Sequence, residues 1–328
     1  MAATEERRGA VTMRALAILL FAASSAIAQN YPTKPVRIIV PTAPGGGYDF
    51  IGRTIGEKLS QELGQGFVVE NRTGAGSLVG TQAAAAAPAD GYTIVVGGLA
   101  NMAFNAGLYK EPRYNAVTDF APVALIGYFT YTLVARKDLA PASLKDLIDF
   151  AHRSPGKLTI ATAGTGTGQH IAAVLLKQLA KADILEIAYK GAQPAYADLL
   201  GGRVDLFFDN TTTVRPFLAD GRVKPIITSG SQRDALLPNV PTASEAGLEG
   251  LVLDSWIGLF VPAKTPRPVI EKLRDATAKA LQAPDVRKRL ESNGWQVISM
   301  SPAETERFVK GEAEKWLKFL QLAGIKAE

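Results

Sequence analysis

The chain has 328 residues, 47% hydrophobic and 20% charged, with 31 Gly, 19 Pro and no Cys. That is a globular composition, and at roughly 150 residues per domain it suggests two domains that bury their own cores without disulfide or metal staples. The missing thiol excludes a cysteine nucleophile, a zinc ribbon, an iron–sulfur site and a lipid-modified N-terminal Cys, and the two histidines, His152 and His170, form no H-x-x-x-H pair. No metal and no cofactor is expected. The net charge of +5 is spread without a Lys/Arg cluster, so nucleic acid is not an expected partner.

In chain order, Arg7, Arg8 and Arg14 precede an apolar run at 15–23, and Ser24-Ser25-Ala26-Ile27-Ala28 offers an A-x-A cleavage signal before Gln29. This pattern predicts a secretory signal peptide over 1–28, cleaved near Ala28, with Met13 as an alternative start. The uncharged run is shorter than the ~20 residues a spanning helix needs. Losing 1–28 removes three Arg and two Glu and lowers the net charge by one. No later run approaches spanning length, so the mature chain is expected to be soluble outside the cytoplasm, with no membrane insertion.

Short apolar runs bounded by Gly, Pro or Asn then alternate with segments of helical period, the pattern of a parallel sheet covered by helices. Strands are expected at 36–40, 67–70, 92–96, 158–161, 185–188, 204–208, 223–228 and 257–261. Ile51, Ile55, Leu59 and Leu63 recur every four residues and predict one buried helical stripe, and the alanines at 83–87 read as the small face of a helix. Ser143 and Asp146 open a helix with a capping box, its stripe being Leu144, Leu147, Ile148 and Ala151. Ser301, Pro302 and Glu304 open the last one, where Phe308, Val309, Trp316, Leu317 and Leu320 are expected on one face until Gly324 ends it.

The run 122–134 is too long for one ordinary strand and lies between two α/β sets, so it predicts a strand crossing between domains, with 237–253 as the return path. The expected fold class is α/β with two domains, each a mostly parallel sheet flanked by helices. Domain 1 is discontinuous, 29–128 plus 254–328, around domain 2 at 129–253.

Thr42-Ala43-Pro44-Gly45-Gly46-Gly47-Tyr48-Asp49 joins the first strand to its helix. Its glycines let backbone N–H groups and the helix N-terminus approach an anion, and Asp49 either caps the helix or reaches a ligand hydroxyl or ammonium. Phe50 stands where a third Rossmann glycine belongs and no G-K-[ST] follows, which argues against a nucleotide. Gly164-Thr165-Gly166-Thr167-Gly168-Gln169-His170 repeats the device in the second domain, adding neutral donors at Thr165, Thr167 and Gln169. A cleft closing over an anion needs two such loops. Three more loops follow strands, at 71–77, at 97–101 with Asn101, and at 209–212 with Asp209. Neither G-x-S-x-G nor H-E-x-x-H is present. An enzyme reading therefore rests on Asp49 and Asp209 meeting as paired carboxylates. Binding without chemistry is the expected function.

Further runs extend along the chain: Tyr31-Pro32-Thr33-Lys34-Pro35, Val69-Glu70-Asn71-Arg72 with Gly74-Ala75-Gly76, Pro88-Ala89-Asp90-Gly91-Tyr92-Thr93 and Tyr189-Lys190-Gly191-Ala192. Leu237-Pro238-Asn239-Val240-Pro241-Thr242, Glu245-Ala246-Gly247 and Trp256-Ile257-Gly258-Leu259-Phe260 continue them. With Pro44-Gly45-Gly46-Gly47 and Asp49, they make the whole mature chain resemble the Bug-type solute-binding proteins of tripartite tricarboxylate transporters. The resemblance implies a two-domain periplasmic-binding-protein fold of the Venus-flytrap type II kind. It also implies a monomer that hands a small organic carboxylate to a membrane permease of two subunits. By that resemblance the carboxylate is held by backbone and neutral donors and by waters, with Gly46 and Asp49 in one loop, Thr165, Gly166 and Gln169 in the other, and Asp209 on the far wall; Gly45 beside them is a further candidate for the site. Thr42, where the family usually has Phe, and Tyr48, where a smaller residue is common, are departures that reshape the pocket. The alternatives are a secreted carboxylate-processing enzyme and a receptor feeding a membrane sensor.

Overall fold

The computed structural model describes residues 31–323 and Ile325; the signal peptide expected over 1–28 and the helix stop expected at Gly324 lie outside them. The chain begins with β1 (Val36–Val40), α1 (Gly47–Leu63), β2 (Phe67–Asn71), α2 (Leu78–Ala85) and β3 (Thr93–Gly98). A π-helical turn (Leu99–Phe104) and a short α3 (Asn105–Leu108) lead into β4 (Phe120–Arg136). There follow α4 (Leu144–Arg153), β5 (Thr159–Thr162), α5 (Gly168–Ala180), β6 (Leu185–Ala188), α6 (Ala192–Leu200), β7 (Leu206–Asn210), α7 (Thr211–Ala219) and β8 (Val223–Thr228). The chain closes with β9 (Asp254–Pro262), α8 (Arg267–Gln282), α9 (Pro284–Ser292), β10 (Gln296–Val297) and α10 (Pro302–Ala323).

The long apolar run forms one strand, β4, that serves two sheets. Its first half lies between β9 and β10, pairing Thr130 with Asp254 and Tyr128 with Gln296. Its second half lies between β7 and β8, pairing Thr132 with Asp209 and with Thr228. The first sheet runs β2-β1-β3-β9-β4, and the second continues β4-β7-β5-β6. Pairing is parallel around β1 and β5 and antiparallel where β4 and β9 cross. Ser229 stitches the crossing: its N–H donates to Tyr131 O (2.8 Å), its Oγ accepts from Tyr131 N–H (2.9 Å) and donates to Leu253 O (2.8 Å). Main-chain groups at a sheet change lose their ladder partners, and this serine supplies them.

In the α1 stripe Ile51, Ile55 and Leu59 are fully buried, each side chain worth about 1.5–3 kcal/mol of burial, while Leu63 at the end of the helix is only half-buried. The box at Ser301 forms in full, Ser301 Oγ accepting from Glu304 N–H (3.3 Å) and Glu304 Oε2 from Ser301 N–H (2.8 Å), whereas at α4 only the cap forms: Ser143 Oγ accepts from Asp146 N–H (3.1 Å) and donates to Asp146 Oδ2 (2.7 Å). In α10, Val309, Trp316 and Leu320 are buried, but Leu317 is 41% exposed, a correction to the expected stripe. Leu317 lies at the edge of the buried arc, a quarter turn from Trp316 along a 3.6-residue repeat. No helix among the described residues is long and apolar enough to cross a membrane.

Candidate functional site

The two glycine loops end as the N-termini of α1 and α5, and both approach one aromatic pair on β4. Gly168 opens α5 so close to Tyr131 that a Cβ there would stand 1.8 Å from the phenol oxygen. Gly47 opens α1 against Phe129 and Trp295, where a Cβ would stand 3.4 and 3.3 Å away. Phe129 and Tyr131, two residues apart and so on one face of the strand, pack edge to face at 5.1 Å. The Tyr131 hydroxyl donates to Ser255 Oγ at 3.3 Å. The first N–H groups of each helix have no intrahelical acceptor and carry the positive end of the helix dipole. Two positive ends thus converge over a partly apolar floor.

In the first loop, Asp49 is buried and folds back on the turn. Its Oδ2 accepts from Gly45 N–H (2.9 Å) and Arg53 Nε (2.9 Å), and its Oδ1 accepts from Asn71 Nδ2 (2.9 Å). Burial alone would raise its pKa, but the Arg53, Gly45 and Asn71 hydrogen bonds outweigh it and hold the carboxyl below its ordinary range. Asn71 also donates to Thr42 O at 3.1 Å, so Asp49 and Asn71 together fix the loop. The Thr42 Oγ1 is buried without a hydrogen-bond partner. Gly46 is exposed.

Tyr48 neither lies on the surface nor points a free phenol at the cleft. It is buried, its hydroxyl donates to Asn101 Oδ1 at 3.3 Å, and burial pushes its pKa up. Asn101, also expected in the site, stands behind Tyr48 as a buried strut. Its Oδ1 also accepts from Gly98 N–H (2.9 Å) and its Nδ2 donates to Thr81 Oγ1 (2.9 Å), which leaves the fully buried amide committed to protein. The π turn after β3 draws the side chain inward.

In the second loop, Thr165 is exposed while Gly166 and His170 are buried. The N–H of Gly166, a residue expected in the site, donates to His170 Nδ1 at 3.1 Å. Thr167 caps α5, its Oγ1 accepting from His170 N–H at 3.3 Å. Gln169 Nε2 donates to Asp209 Oδ1 at 2.9 Å, as does Asn210 N–H at 2.9 Å. Among the described residues no cation pairs with Asp209, and burial pushes its pKa up to about 6 against these hydrogen bonds. The Tyr196 phenol lies beside it, yet neither Asp209 Oδ2 nor Tyr196 Oη reaches hydrogen-bonding geometry. Asp49 and Asp209 are each bonded within their own lobe, so the paired-carboxylate geometry of the enzyme reading is not formed. No group of three His, Asp or Glu among the described residues is placed to hold a metal.

The lobes also meet directly. A Cβ on Gly76 would stand 2.2 Å from Thr165 O, and Tyr109 Oη donates to that same oxygen at 3.4 Å. Phe129, Tyr131, Ser255 and Trp295 are absent from the sequence expectations; the alternation of Phe129 and Tyr131 is the one signal that could have found two of them.

Comparison with known proteins decides the family. Residues 51–325 match the tripartite tricarboxylate transporter family receptor profile. The chain belongs to that family. It resembles the solved periplasmic binding protein BugD, with a TM-score of 0.83 and 34% identity over 91% of this chain and 100% of that one. A Rhodopseudomonas palustris protein solved with adipate matches at a TM-score of 0.84 and 32% identity, covering 90% and 99%. MatC from the same organism, solved with malate, matches at 0.82 and 34%, covering 88% and 99%. The protein is accordingly a two-domain α/β solute-binding receptor of a periplasmic, non-enzymatic family.

Proposed function

We propose that the receptor captures a small organic carboxylate between the N-termini of α1 and α5 and delivers it to a tripartite tricarboxylate-type permease with two membrane subunits. The observation that carries this reading is the convergence of two helix N-termini, one from each lobe, on the Phe129–Tyr131 pair. Such ends hold a carboxylate by short, directed hydrogen bonds, and the aromatic floor suits its carbon chain. Thr42, Gly46, Thr165 and Gln169 face the ligand. Gly45, Tyr48, Asp49, Asn101, Gly166 and Asp209 hold those residues in place. Domain 1 comprises 29–128 and 254–328, domain 2 comprises 129–253, and the chain acts as a monomer after residues 1–28 are removed near Ala28. The adipate- and malate-bound relatives support aliphatic dicarboxylates as the first class to screen.

A saturating ligand raises apparent stability by mass action, so a thermal-shift screen of di- and tricarboxylates, aromatic acids and amino acids tests the reading. Acids should raise Tm while their amides and methyl esters do not. Equal stabilisation by the amides overturns the carboxylate assignment.

A further inference from the structure

His170 has no part in the proposed ligand contacts, yet it is buried at 6% exposure where the lobes meet. Phe104, from the π turn of the first lobe, packs edge-on to its ring at 6.1 Å and 80°. Its Nδ1 accepts from Gly166 N–H at 3.1 Å and therefore carries no proton. Its Nε2 faces Glu186 Oε1 on β6 at 3.2 Å and therefore carries the proton. Burial alone would raise the Glu186 pKa, but its contacts with His170 and Lys177 outweigh burial and hold the carboxyl low. A carboxylate on one ring nitrogen fixes which tautomer the other presents.

The first lobe makes the same bond at the same spacing. Gly45 N–H donates to Asp49 and Gly166 N–H donates to His170, each glycine two residues before its helix and each acceptor four residues on. In the second lobe that bond holds Gly166 at φ +80 and thereby places Thr165, whose carbonyl meets Tyr109 and abuts Gly76. We infer that His170, held by Glu186 as the Nε2–H tautomer, is a positioning residue for the ligand loop that sets Thr165 and the N-terminus of α5 without touching the ligand. This rests on the proposed reading that the loop holds the ligand.

Two variants of the full chain separate this role from core packing. His170→Asn places an amide oxygen where Nδ1 lies, whereas His170→Leu keeps apolar volume and removes the acceptor. Without ligand, the Gly166 amide should stay protected from hydrogen exchange in wild type and H170N, and exchange about tenfold faster or more in H170L. Imidazole 15N shifts should report the Nε2–H form. With malate as the calorimetric probe, H170N should bind within about threefold of wild type and H170L about tenfold more weakly or worse. Unchanged Gly166 exchange in H170L, or wild-type malate affinity there, overturns the role. Wild type failing to bind malate counts against the proposed ligand class and leaves the exchange result to decide His170. If H170L does not fold, Glu186→Ala reads the same bond from the other side. It should mix the His170 tautomers and speed Gly166 exchange, and an unchanged tautomer overturns the inference.

Discussion

In the first lobe the glycine turn is closed by a charged group, in the second by a neutral one. Gly45 N–H meets the Asp49 carboxylate, which Arg53 neutralises from the next helical turn; Gly166 N–H meets an imidazole nitrogen, with Glu186 behind the ring. The second lobe keeps its other carboxylate, Asp209, deeper and, among the described residues, without a paired cation. A paired charge leaves the helix N-terminus positive overall, whereas an unpaired one opposes an incoming anion and is driven toward its neutral form. The two walls of the cleft therefore answer to pH in opposite directions, although their backbones follow one plan.

The largest expected effect comes from breaking the meeting of the lobes. Gly76→Ala puts a Cβ 2.2 Å from Thr165 O at a φ of +57, so it both strains the turn and blocks closure. Gly45→Ala, at φ +85 with nothing within 4 Å, carries the strain alone. Affinity should fall about a hundredfold in G76A and only a few-fold in G45A, and small-angle scattering should show G76A more open with saturating ligand. Equal losses in the two would mean that strain, and not closure, sets affinity.

Next in size is Asp49→Ala, which strands Gly45 N–H, Arg53 and Asn71 together and should cost about 2–3 kcal/mol by urea denaturation at pH 7. The folded pKa of Asp49 lies below the ordinary 3.8, so its contribution is present above that value and disappears as pH falls through the folded pKa. The gap between wild type and D49A should shrink in acid; a gap independent of pH would show that the side chain matters for its shape alone.

Much of this plan was legible, for reasons that also explain what was not. The loops at 42–49 and 164–170 announce themselves because glycine after an apolar run has few other uses. The 122–134 run gave away β4 by its length, but a strand apolar on both faces does not say which side chains meet the cleft, so Phe129 and Tyr131 stayed hidden. The strand end that carries Asn101 is legible, but the inward set of its side chain is not, because a π turn is not visible in composition. Strand β10 is two residues long and exists only through its pairing with Gly127 and Tyr128, which leaves no local periodicity to read. The tie from Gly166 to His170 needs a three-dimensional turn to be seen, although its i, i+4 spacing repeats that of Gly45 and Asp49.

Asp209 tests the opposite wall. Its folded pKa of about 6 lies above the unfolded value of 3.8, so the native state holds the proton more tightly. The stability this adds is present below about pH 4 and is lost as pH rises through 6, on the order of 2–3 kcal/mol. Asp209→Asn keeps an oxygen for Gln169 and Asn210 and offers an N–H toward Tyr196, so it should be more stable than wild type at pH 8 and match it near pH 4. An undiminished slope in the variant would place the titrating group elsewhere.

The smallest effect is expected at Thr42, where the comparison between walls narrows to one atom. Its Oγ1 is buried without a partner, and a hydroxyl in that state costs free energy that a ligand group can recover. Thr42→Val has nearly the same shape and no hydroxyl, so the ligand-free protein should be as stable as wild type or more so, by up to about 1 kcal/mol. Affinity should move the other way, falling about tenfold, because the ligand loses a partner while the loop keeps its Asn71 bond to the Thr42 carbonyl. Thr42→Ser keeps the oxygen and should bind like wild type. The two substitutions divide shape from hydrogen bonding: wild-type affinity in T42V would remove the hydroxyl from the site, and weak binding in T42S would show that the methyl group does the selecting.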